Sequence, residues 1–389
     1  MRVAVVFYGL TPHGGGVFTF QQSLMDTLRA LGSESHHDFV FYSAGTPSQD
    51  PGVIDIPVTL PAAMRKRAIE VSRAVQDRFN MQRIARRTWF ERSLDERGVD
   101  MVWFAANYAE ECDRPFLFTL FDLGHLVHPY FPELSVRGEW DRRHQHFSRH
   151  LPRAAGVIVP NEAGKEQLLR YFPIEAERVI CLPHPTPEFA LRDDSDRDDA
   201  HRRERLGVRG RYLFYPAQFW AHKNHYNALR ALAALGSGYE LVLVGSDKGQ
   251  AGHVGALAAE LGIRDDVREL GFVEVEELVA LYRGAHALLY PSFLGPENLP
   301  PLEAFALGCP VVAADVPGAR EQLGDAALLV SPTDPDAMAA AVRRLEDEWE
   351  RARRIDAGRR RAAEYTAERY VRGVFGFLDD FEQIRRCWA

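Results

Sequence analysis

The chain has 389 residues, a formal net charge of −8 and four scattered cysteines. That length suits two domains, and the acidic balance argues against a general affinity for nucleic acid. The cysteine spacing matches neither a zinc site nor a disulfide framework, which favours a reduced, cytoplasmic protein. No apolar run approaches the roughly 20 residues of a membrane-spanning helix, and MRVAVVFYGL at the start predicts a buried strand rather than a signal peptide.

The first predicted elements are a strand, a glycine loop and a helix. Arg2–Tyr8 is an apolar run typical of a parallel strand, and a helical pattern covers residues 17–31. The loop GLTPHGGG between them ends in Gly14, Gly15 and Gly16. This order opens a Rossmann-like unit, but the Gly-x-Gly-x-x-Gly spacing of a dinucleotide site is missing. The pattern alone fits a tight turn and a ligand-facing loop equally well.

Two basic segments follow a second strand predicted at residues 39–43. In residues 61–98, arginine and lysine outnumber the acids, and the pattern predicts helices with a solvated charged face. The alternative is a surface for an anionic, lipid-linked acceptor or a membrane interface, with Trp89 and Phe90 on its apolar side. Residues 133–155 predict another basic helix, whose histidines form no convincing metal pair.

Polar side chains follow the strand predicted at residues 116–121. Asp122 and His125 lie three residues apart just after that strand, at the sheet edge where α/β proteins place their ligands. A single histidine is more often structural. An aspartate followed by His125 and His128 favours a ligand contact instead.

A charge-dense segment with almost no apolar residues, LRDDSDRDDAHRRERL, separates the two halves of the chain. It contains Asp194 and Asp196, whose Asp-x-Asp spacing occurs in metal sites. The pair lies in a solvated charge run rather than at the end of a strand, so we interpret the segment as a linker and not as a metal site.

The second half resumes the alternation of strands and helices. Lys223 lies between a strand predicted at residues 212–215 and a helix, where a lysine can meet a diphosphate. Gly245 follows the strand predicted at residues 240–244. Phe272 and Val273 follow the one predicted at residues 267–270.

The stretch from Tyr290 to Ala313 predicts a strand end, a loop rich in proline and glycine, a helix and another strand. Pro300 and Pro301 suit a first helical turn, whose N–H groups have no partner within the helix. The pattern places Glu303 in that turn, either as a cap or as an acceptor for sugar hydroxyls beside a bound phosphate. An ordinary proline-capped crossover fits the pattern equally well.

The same stretch resembles the nucleotide-sugar motif of the family 4 retaining glycosyltransferases, Glu-Gly-Phe-Gly-Leu-Pro-x-Leu-Glu followed by Gly-x-Pro-Val. The matching residues are Leu299, Pro300, Leu302, Glu303, Ala304, Gly308, Pro310 and Val311. The first glutamate of the motif is replaced by Gly295, and Glu297 is the nearest substitute.

Other segments resemble the family in part. Lys223 matches a lysine that holds the donor diphosphate, while Gln218 takes the place of the accompanying arginine. Asp122 and His125 match a His-Asp-Leu-x-His-Leu segment whose leading histidine is here Phe121.

The resemblance implies a fold and a domain organisation. The family has the GT-B fold, so we expect an α/β protein with two Rossmann-like domains whose parallel sheets face a central cleft. We place an acceptor-binding domain at 1–190, a linker at 191–207 and a nucleotide-sugar-binding domain at 208–370. Residues 371–389 would form a helix that crosses back to the first domain.

The resemblance also implies the roles of individual residues. Lys223, with N–H groups near Asn298 and Leu299, would stabilise the leaving diphosphate, and Glu303 would hold the ribose hydroxyls. Catalysis would rest on Lys223, Glu303, Asp122 and His125. Donor contacts would come from Gly14, Gly15, Gly16, Gln218, Gly245, Phe272, Val273, Glu297, Asn298, Leu299 and Glu303. Neither a metal nor a cofactor is then required.

The implied function is retaining transfer of a sugar from a nucleoside-diphosphate sugar, with GDP-mannose as the first choice. The acceptor would be a glycan or a lipid-linked saccharide in polysaccharide biosynthesis. The enzyme would be cytoplasmic, with a peripheral contact at the inner face of the membrane. Two alternatives stay open at this point: a nucleotide-sugar epimerase on the same fold, and a binding protein that has lost catalysis with its two changed donor positions.

Overall fold

The computed structural model describes residues 1–11, 15–57, 88–192 and 198–388. The chain divides into two compact units, each built from separate stretches of sequence. The first unit consists of Met1–Thr119, Arg153–Ile158 and Phe377–Ala389. The second consists of Leu120–Pro152 and Val159–Gly376. The domain boundaries inferred from the sequence, near residues 190, 207 and 370, stay predictions.

The first sheet has seven strands in the order β3-β2-β1-β4-β5-β6-β7. They are β1 (Arg2–Tyr8), β2 (Asp38–Ala44), β3 (Val53–Asp55), β4 (Met101–Phe104), β5 (Phe116–Thr119), β6 (Gly156–Val159) and β7 (Val179–Cys181). The strand pairs from β3 to β6 are parallel. All residues of β4 and β5 are buried, as the unbroken apolar runs predicted.

The second sheet has six parallel strands in the order β10-β9-β8-β11-β12-β13. They are β8 (Tyr212–Pro216), β9 (Glu240–Val244), β10 (Val267–Glu269), β11 (Ala287–Tyr290), β12 (Val311–Ala314) and β13 (Ala327–Val330). The order reverses between β8 and β11, as it does between β1 and β4 in the first sheet. Parallel sheets bind ligands beyond the carboxyl ends of the strands at such a reversal. The predicted pair of Rossmann-like sheets is therefore confirmed.

The helices connect these strands, as expected for parallel pairing. In the first half of the chain they are α1 (Gly16–Leu31), α2 (Trp89–Glu96), α3 (Gly124–Val127), α4 (Pro132–Ser135), α5 (Glu139–His150), α6 (Glu162–Tyr171) and α7 (Glu188–Leu191). Those that follow are α8 (Asp199–Arg205), α9 (His225–Leu235), α10 (Ala251–Glu260), α11 (Val275–Gly284), α12 (Leu299–Ala306), α13 (Ala319–Leu323), α14 (Pro335–Arg344), α15 (Glu348–Glu364) and α16 (Ala367–Arg385).

The single basic helix predicted for residues 133–155 was wrong, because the chain breaks between α4 and α5. Arg137 and Gly138 have φ angles of 59° and 74°, which lie in the left-handed region and cannot continue a right-handed helix. The other basic segment falls mostly within residues 58–87, outside the described ranges, and its described part contains α2. Its proposed membrane or acceptor role therefore stays a prediction.

The composition raised two points that the structure describes further, the state of the cysteines and the apolar length of the helices. All four cysteines carry free thiols. Among the described residues, no helix combines the length and apolar character that crossing a bilayer demands.

The end of α16 belongs to the first unit. The guanidinium of Arg385 lies 2.5 Å from the Asp100 carboxylate, in the turn before β4. The amino group of Met1 lies 3.3 Å from Oε1 of Glu382. These contacts attach the last helical turns to the amino-terminal end of the parallel strand pair β1–β4.

Candidate functional site

Two loops leave the second sheet where its strand order reverses. The lysine loop, residues 217–224, follows β8, and the proline loop, residues 291–298, follows β11. Because β8 and β11 are parallel neighbours, the two loops begin side by side. Both candidate donor-binding segments from the sequence therefore lie at the switch point of this sheet.

A tyrosine hydroxyl joins the two loops. Nζ of Lys223 donates a hydrogen bond of 3.0 Å to the hydroxyl of Tyr290, which in turn donates one of 3.0 Å to Oδ1 of Asn298. The same ammonium lies 5.4 Å from the centre of the Tyr290 ring. Lys223 and Asn298 are thus brought to one place, while their contact with a donor diphosphate stays a prediction.

Asn224 fixes the backbone immediately after Lys223. Its φ angle is 59°, in the left-handed region that asparagine tolerates better than most residues. Its side-chain amide donates to the carbonyls of Pro291 (2.9 Å) and Pro332 (2.7 Å), and its Oδ1 accepts from the N–H of Asn227 at the start of α9. The end of the lysine loop is therefore tied to the proline loop and to the segment after β13.

Glu133 anchors the middle of the lysine loop, and the sequence analysis missed it. Its Oε1 accepts from the backbone N–H of His222 at 2.9 Å and lies 2.5 Å from Nδ1 of that ring. Burial raises the pKa of Glu133, but the hydrogen bonds from His222 outweigh it and leave the pKa below its usual value. Burial also lowers the pKa of His222, so we assign a carboxylate and a neutral imidazole that donates from Nδ1. No motif marks this pair, whose members are 89 residues apart.

The ends of β8, β9 and β10 meet beside the lysine loop. Gly245 follows β9 with a φ angle of 155°, and a side chain there would collide with the carbonyl oxygen of Ala217. The Gly245 N–H donates 2.9 Å to the carbonyl of Gly271. Gly245 is therefore a packing requirement at the predicted site, since only glycine allows this backbone approach.

Two more of the predicted donor residues lie at these strand ends. Oε1 of Gln218 already accepts from the indole N–H of Trp220 at 2.9 Å, which leaves its amide N–H₂ to donate. Phe272 is 62% exposed, whereas Val273 is buried. An exposed aromatic face beside a strand end suits stacking against a nucleotide base, which stays the predicted role of Phe272. Burial leaves Val273 as a packing residue in this structure.

The proline loop offers fewer donors to an anion than predicted. The Asn298 N–H donates to Oε1 of Gln322 at 3.1 Å, and Nε2 of Gln322 donates back to the Asn298 carbonyl at 2.8 Å. Pro300 and Pro301 have no N–H, so Leu299 supplies the single amide of the first three helical positions. The positive end of α12 is intact as a dipole, but most of its usual hydrogen-bond donors are already bonded or missing.

Glu303 lies in the second turn of α12, not in the first as predicted, because the helix already begins at Leu299. Its carboxyl group is buried, and its Oε2 accepts from the Tyr282 hydroxyl at 2.5 Å. Burial raises the pKa of Glu303 to about 7, although the bond from Tyr282 opposes the shift. Burial therefore favours the protonated form of this side chain over the range in which an exposed glutamate is already ionised.

Glu297 is buried and attaches the proline loop to the segment that follows β7. Its Oε2 accepts from the His184 N–H at 2.7 Å, and Oε1 has no hydrogen-bond partner among the described residues. Burial raises the pKa of Glu297 well above its ordinary range. The neighbouring Pro296 carbonyl accepts from Nδ2 of Asn161 at 2.7 Å. Glu297 is thus engaged by the protein, and its service as the missing first glutamate stays a prediction.

Asp122 and His125 have different environments. Oδ1 of Asp122 accepts from the Gly124 N–H at 2.8 Å and lies 3.8 Å from Arg143. His125 is fully buried among the rings of Trp140, His144 and Phe147. Burial and the nearby Arg143 lower the pKa of His125 to about 4, so the ring is neutral. This enclosure favours the structural alternative for His125 over a substrate contact.

The glycine loop belongs to the first unit. Gly14 lies outside the described residues. Gly15 has a φ angle of 63° and precedes α1, which begins at Gly16. The predicted part of these glycines in donor binding stays a prediction.

Comparison with known proteins gives a family for part of the chain. Residues 196–361 match the family model described as glycosyl transferases group 1. This range contains both loops of the switch point and Glu303. It covers less than half of the chain.

The curated relatives are glycosyltransferases. The chain is 24% identical over 223 residues to the O-antigen chain mannosyltransferase RfbU of Salmonella typhimurium, which covers 57% of this chain and 59% of that protein. It is 31% identical over 250 residues to D-inositol 3-phosphate glycosyltransferase of Acidothermus cellulolyticus, covering 61% of this chain and 56% of the relative. The chain therefore spans less than two thirds of the length of these relatives.

A solved structure extends the likeness of fold to nearly the whole chain. The Anabaena protein HepE in complex with UDP and glucose aligns with a TM-score of 0.70 at 16% identity, over 98% of this chain and 100% of that one. An identity this low shows the fold alone. Residues 196–361 therefore match the glycosyl transferases group 1 model within a chain whose two parallel, Rossmann-like sheets have the fold of GT-B proteins.

Proposed function

We propose that this chain is a retaining glycosyltransferase that moves a sugar from a nucleoside-diphosphate sugar to a glycan or lipid-linked saccharide. The observation that carries the proposal is the convergence of Lys223 and Asn298 on the Tyr290 hydroxyl. It lies at the sheet position where α/β proteins bind nucleotides, within the region that matches the glycosyltransferase family.

In this proposal Lys223 supplies the positive charge that the leaving diphosphate needs. A fixed ammonium at the switch point stabilises the charge that develops as the bond from sugar to phosphate breaks. The acceptor hydroxyl attacks from the same face, and the leaving phosphate takes its proton. That course needs neither a nucleophilic carboxylate nor a metal ion, so Gly295 in place of the first glutamate is compatible with turnover.

Glu303 is proposed to accept hydrogen bonds from the ribose hydroxyls. Its pKa of about 7 means that binding would draw the carboxyl group toward its ionised form, because an ionised carboxylate only accepts hydrogen bonds. The Tyr282 hydroxyl holds one oxygen at 2.5 Å and orients the group.

GDP-mannose is the first choice of donor. The mannosyltransferase activity in the name of the Salmonella relative supports it. The UDP in the HepE structure makes UDP the first competitor.

A second candidate is a nucleotide-sugar-binding protein without transferase activity. Two donor positions have lost a charge, at Gln218 and Gly295, and the Glu297 carboxyl group is turned inward to His184. The nucleotide-sugar epimerase alternative finds no support, since the relatives described above are transferases.

The test is a thermal-shift screen of the full chain against UDP, GDP, dTDP, ADP and CMP, with a chelator present. A ligand that binds only the folded state raises the Tm by mass action, so one diphosphate should stand out. Incubating the sugar donors of that base with saccharide acceptors should then release the diphosphate. Binding without release under any donor favours the second candidate, and no thermal shift at all contradicts both.

A further inference from the structure

A separate cluster of polar side chains lies in the first unit, where the segment before β2 meets the end of α16. His36 and His37 precede β2, and Asp379 and Glu382 lie three residues apart on α16, hence on one face. His36, His37 and Glu382 each offer one possible ligand atom, and these atoms all lie within 4.8 Å of one another.

The hydrogen bonds of His37 define which of its nitrogens can bind a cation. Nδ1 lies 3.1 Å from the amino group of Met1, which can only donate, so Nδ1 is the acceptor. Nε2 then carries the proton and donates to Oδ1 of Asp379 at 3.1 Å. A carboxylate that holds the far nitrogen of a histidine is the usual companion of a metal-binding imidazole.

A positive charge already occupies the space between these groups. The amino group of Met1 is 3.1 Å from Nδ1 of His37 and 3.3 Å from Oε1 of Glu382. Nε2 of His36 is 2.9 Å from Oε2 of the same carboxylate. In a tetrahedral zinc site with ligands at 2.0–2.1 Å, the ligand atoms lie about 3.3 Å from one another. The possible ligand atoms of His36, His37 and Glu382 already lie within 4.8 Å of one another, so little movement is needed to form the site.

We propose that His36, His37 and Glu382 bind a divalent transition-metal ion of the zinc class, with Asp379 as the positioning residue for His37. Two imidazoles and one carboxylate are a ligand set that zinc accepts, with a fourth position open to water. The ion replaces the Met1 ammonium at its two acceptor atoms, Nδ1 of His37 and Oε1 of Glu382. It links α16 to the segment before β2, and so joins two parts of the first unit that are distant in sequence.

The competing account is a cluster held by ion pairs alone. Arg386 lies 3.3 Å from Oε2 of Glu382, and Asp379 lies 3.6 Å from Nδ1 of His36. Both Arg386 and His36 are more than half exposed, so these pairs contribute little to stability and yield readily to a metal ion.

The experiment uses the untagged full chain, freed of metal by a chelator and titrated with Co²⁺, whose visible absorption reports tetrahedral nitrogen and oxygen ligands. We expect one Co²⁺ per chain, bleaching of the absorption by added Zn²⁺, and a rise in Tm with Zn²⁺. His36→Ala and Glu382→Gln should abolish the absorption, and Asp379→Asn should weaken binding by about tenfold or more. His253→Ala, an exposed histidine on α10, is the matched control and should bind as the parent does.

Tm and circular dichroism without metal check that each variant is folded; His36 is chosen over the buried His37 because its substitution leaves no cavity. Absence of Co²⁺ absorption in the parent chain would leave the cluster as ion pairs only. Absorption that survives in both His36→Ala and Glu382→Gln would place the metal elsewhere and equally overturn the assignment.

Discussion

The lysine loop and the proline loop follow neighbouring strands of one sheet, yet they differ in charge and in the number of hydrogen-bond donors they have left. The lysine loop carries a cation, Lys223, on a backbone held by Glu133 and Asn224. The proline loop is neutral at its helix end, and its Asn298 amide is already bonded to Gln322. A strand-to-helix loop is a general anion site only while its N–H groups are unpaired. We infer that the lysine loop provides charge and the proline loop provides a rigid wall.

Removing the cation should give the largest effect. We expect Lys223→Ala to lower turnover by about 10²–10³-fold, the usual result of deleting one donor to a developing negative charge. Its bond to Tyr290 is a single contact on a half-buried side chain, so folding should persist. Steady-state rates with the matched donor measure the effect, with Lys165→Ala on α6 as the control. Near-parental turnover in Lys223→Ala would show that the positive charge of Lys223 is not needed for the reaction.

The carboxyl group behind the proline loop should make stability depend on pH. Glu303 has a pKa of about 7 in the folded chain against 4.5 ordinarily, so the folded state keeps a proton that the unfolded state loses between those values. The free energy of unfolding should therefore fall as pH rises through that window, by about 3 kcal/mol from this group.

Urea unfolding of the parent and Glu303→Gln at pH 5 and pH 8 checks this expectation. The glutamine keeps the shape and an acceptor for Tyr282 but cannot ionise, so its pH dependence should be smaller than that of the parent. Other groups, including Glu297, contribute equally to both proteins and cancel in the difference. Identical pH dependence in the two proteins would mean that Glu303 is not the titrating group.

The comparison of the two loops can be tested directly by removing, from each loop in turn, one side chain that holds its backbone by hydrogen bonds. Glu133→Ala leaves the His222 N–H unpaired, and Gln322→Ala leaves the Asn298 N–H and carbonyl unpaired. Each should lower the free energy of unfolding by about 1–3 kcal/mol. Affinity for the nucleotide found in the screen should fall about tenfold in Glu133→Ala and less than about twofold in Gln322→Ala, since only the lysine loop holds the charge. Calorimetric titration measures both, and equal losses would show that the loops bind alike.

Restoring a cation should give the smallest effect. Gln218→Arg adds a positive charge at the end of β8 and releases its bond from Trp220. We expect nucleotide affinity to rise by no more than about fivefold, the value of a partly exposed ion pair. Gln218→Met, similar in length but uncharged, controls for the lost bond. Equal affinity in both variants would place residue 218 away from the diphosphate.

Local signals in the sequence were enough for most of the strands, but not for β3, and they indicated candidate site residues. Unbroken apolar runs located most of the sheet strands because parallel strands are buried on both faces. The short β3 was missed, because it has no such run and only its first residue is buried. Pro300 and Pro301 marked the start of α12, and Lys223 was recognisable from its place between a strand and a helix.

Contacts between distant residues were beyond such reasoning. The pairing of Glu133 with His222 depends on the path of α4, which no motif encodes. The enclosure of His125 depends on α5 folding back over it, a path that the left-handed Arg137 and Gly138 help to set. The hydrogen bond from the Asn298 N–H to Gln322 likewise leaves the proline loop with fewer free donors than the sequence predicted.

The contact between Met1 and Glu382 also has a consequence for biosynthesis. These two residues are 381 positions apart in the chain, yet they meet within the first unit. At about 5–20 residues per second, the ribosome makes Glu382 roughly 20–80 s after Met1. Through that interval the Met1 amino group lacks the carboxylate that α16 supplies. The contacts between these two parts of the first unit therefore form only after the long stretch of chain between them has been made.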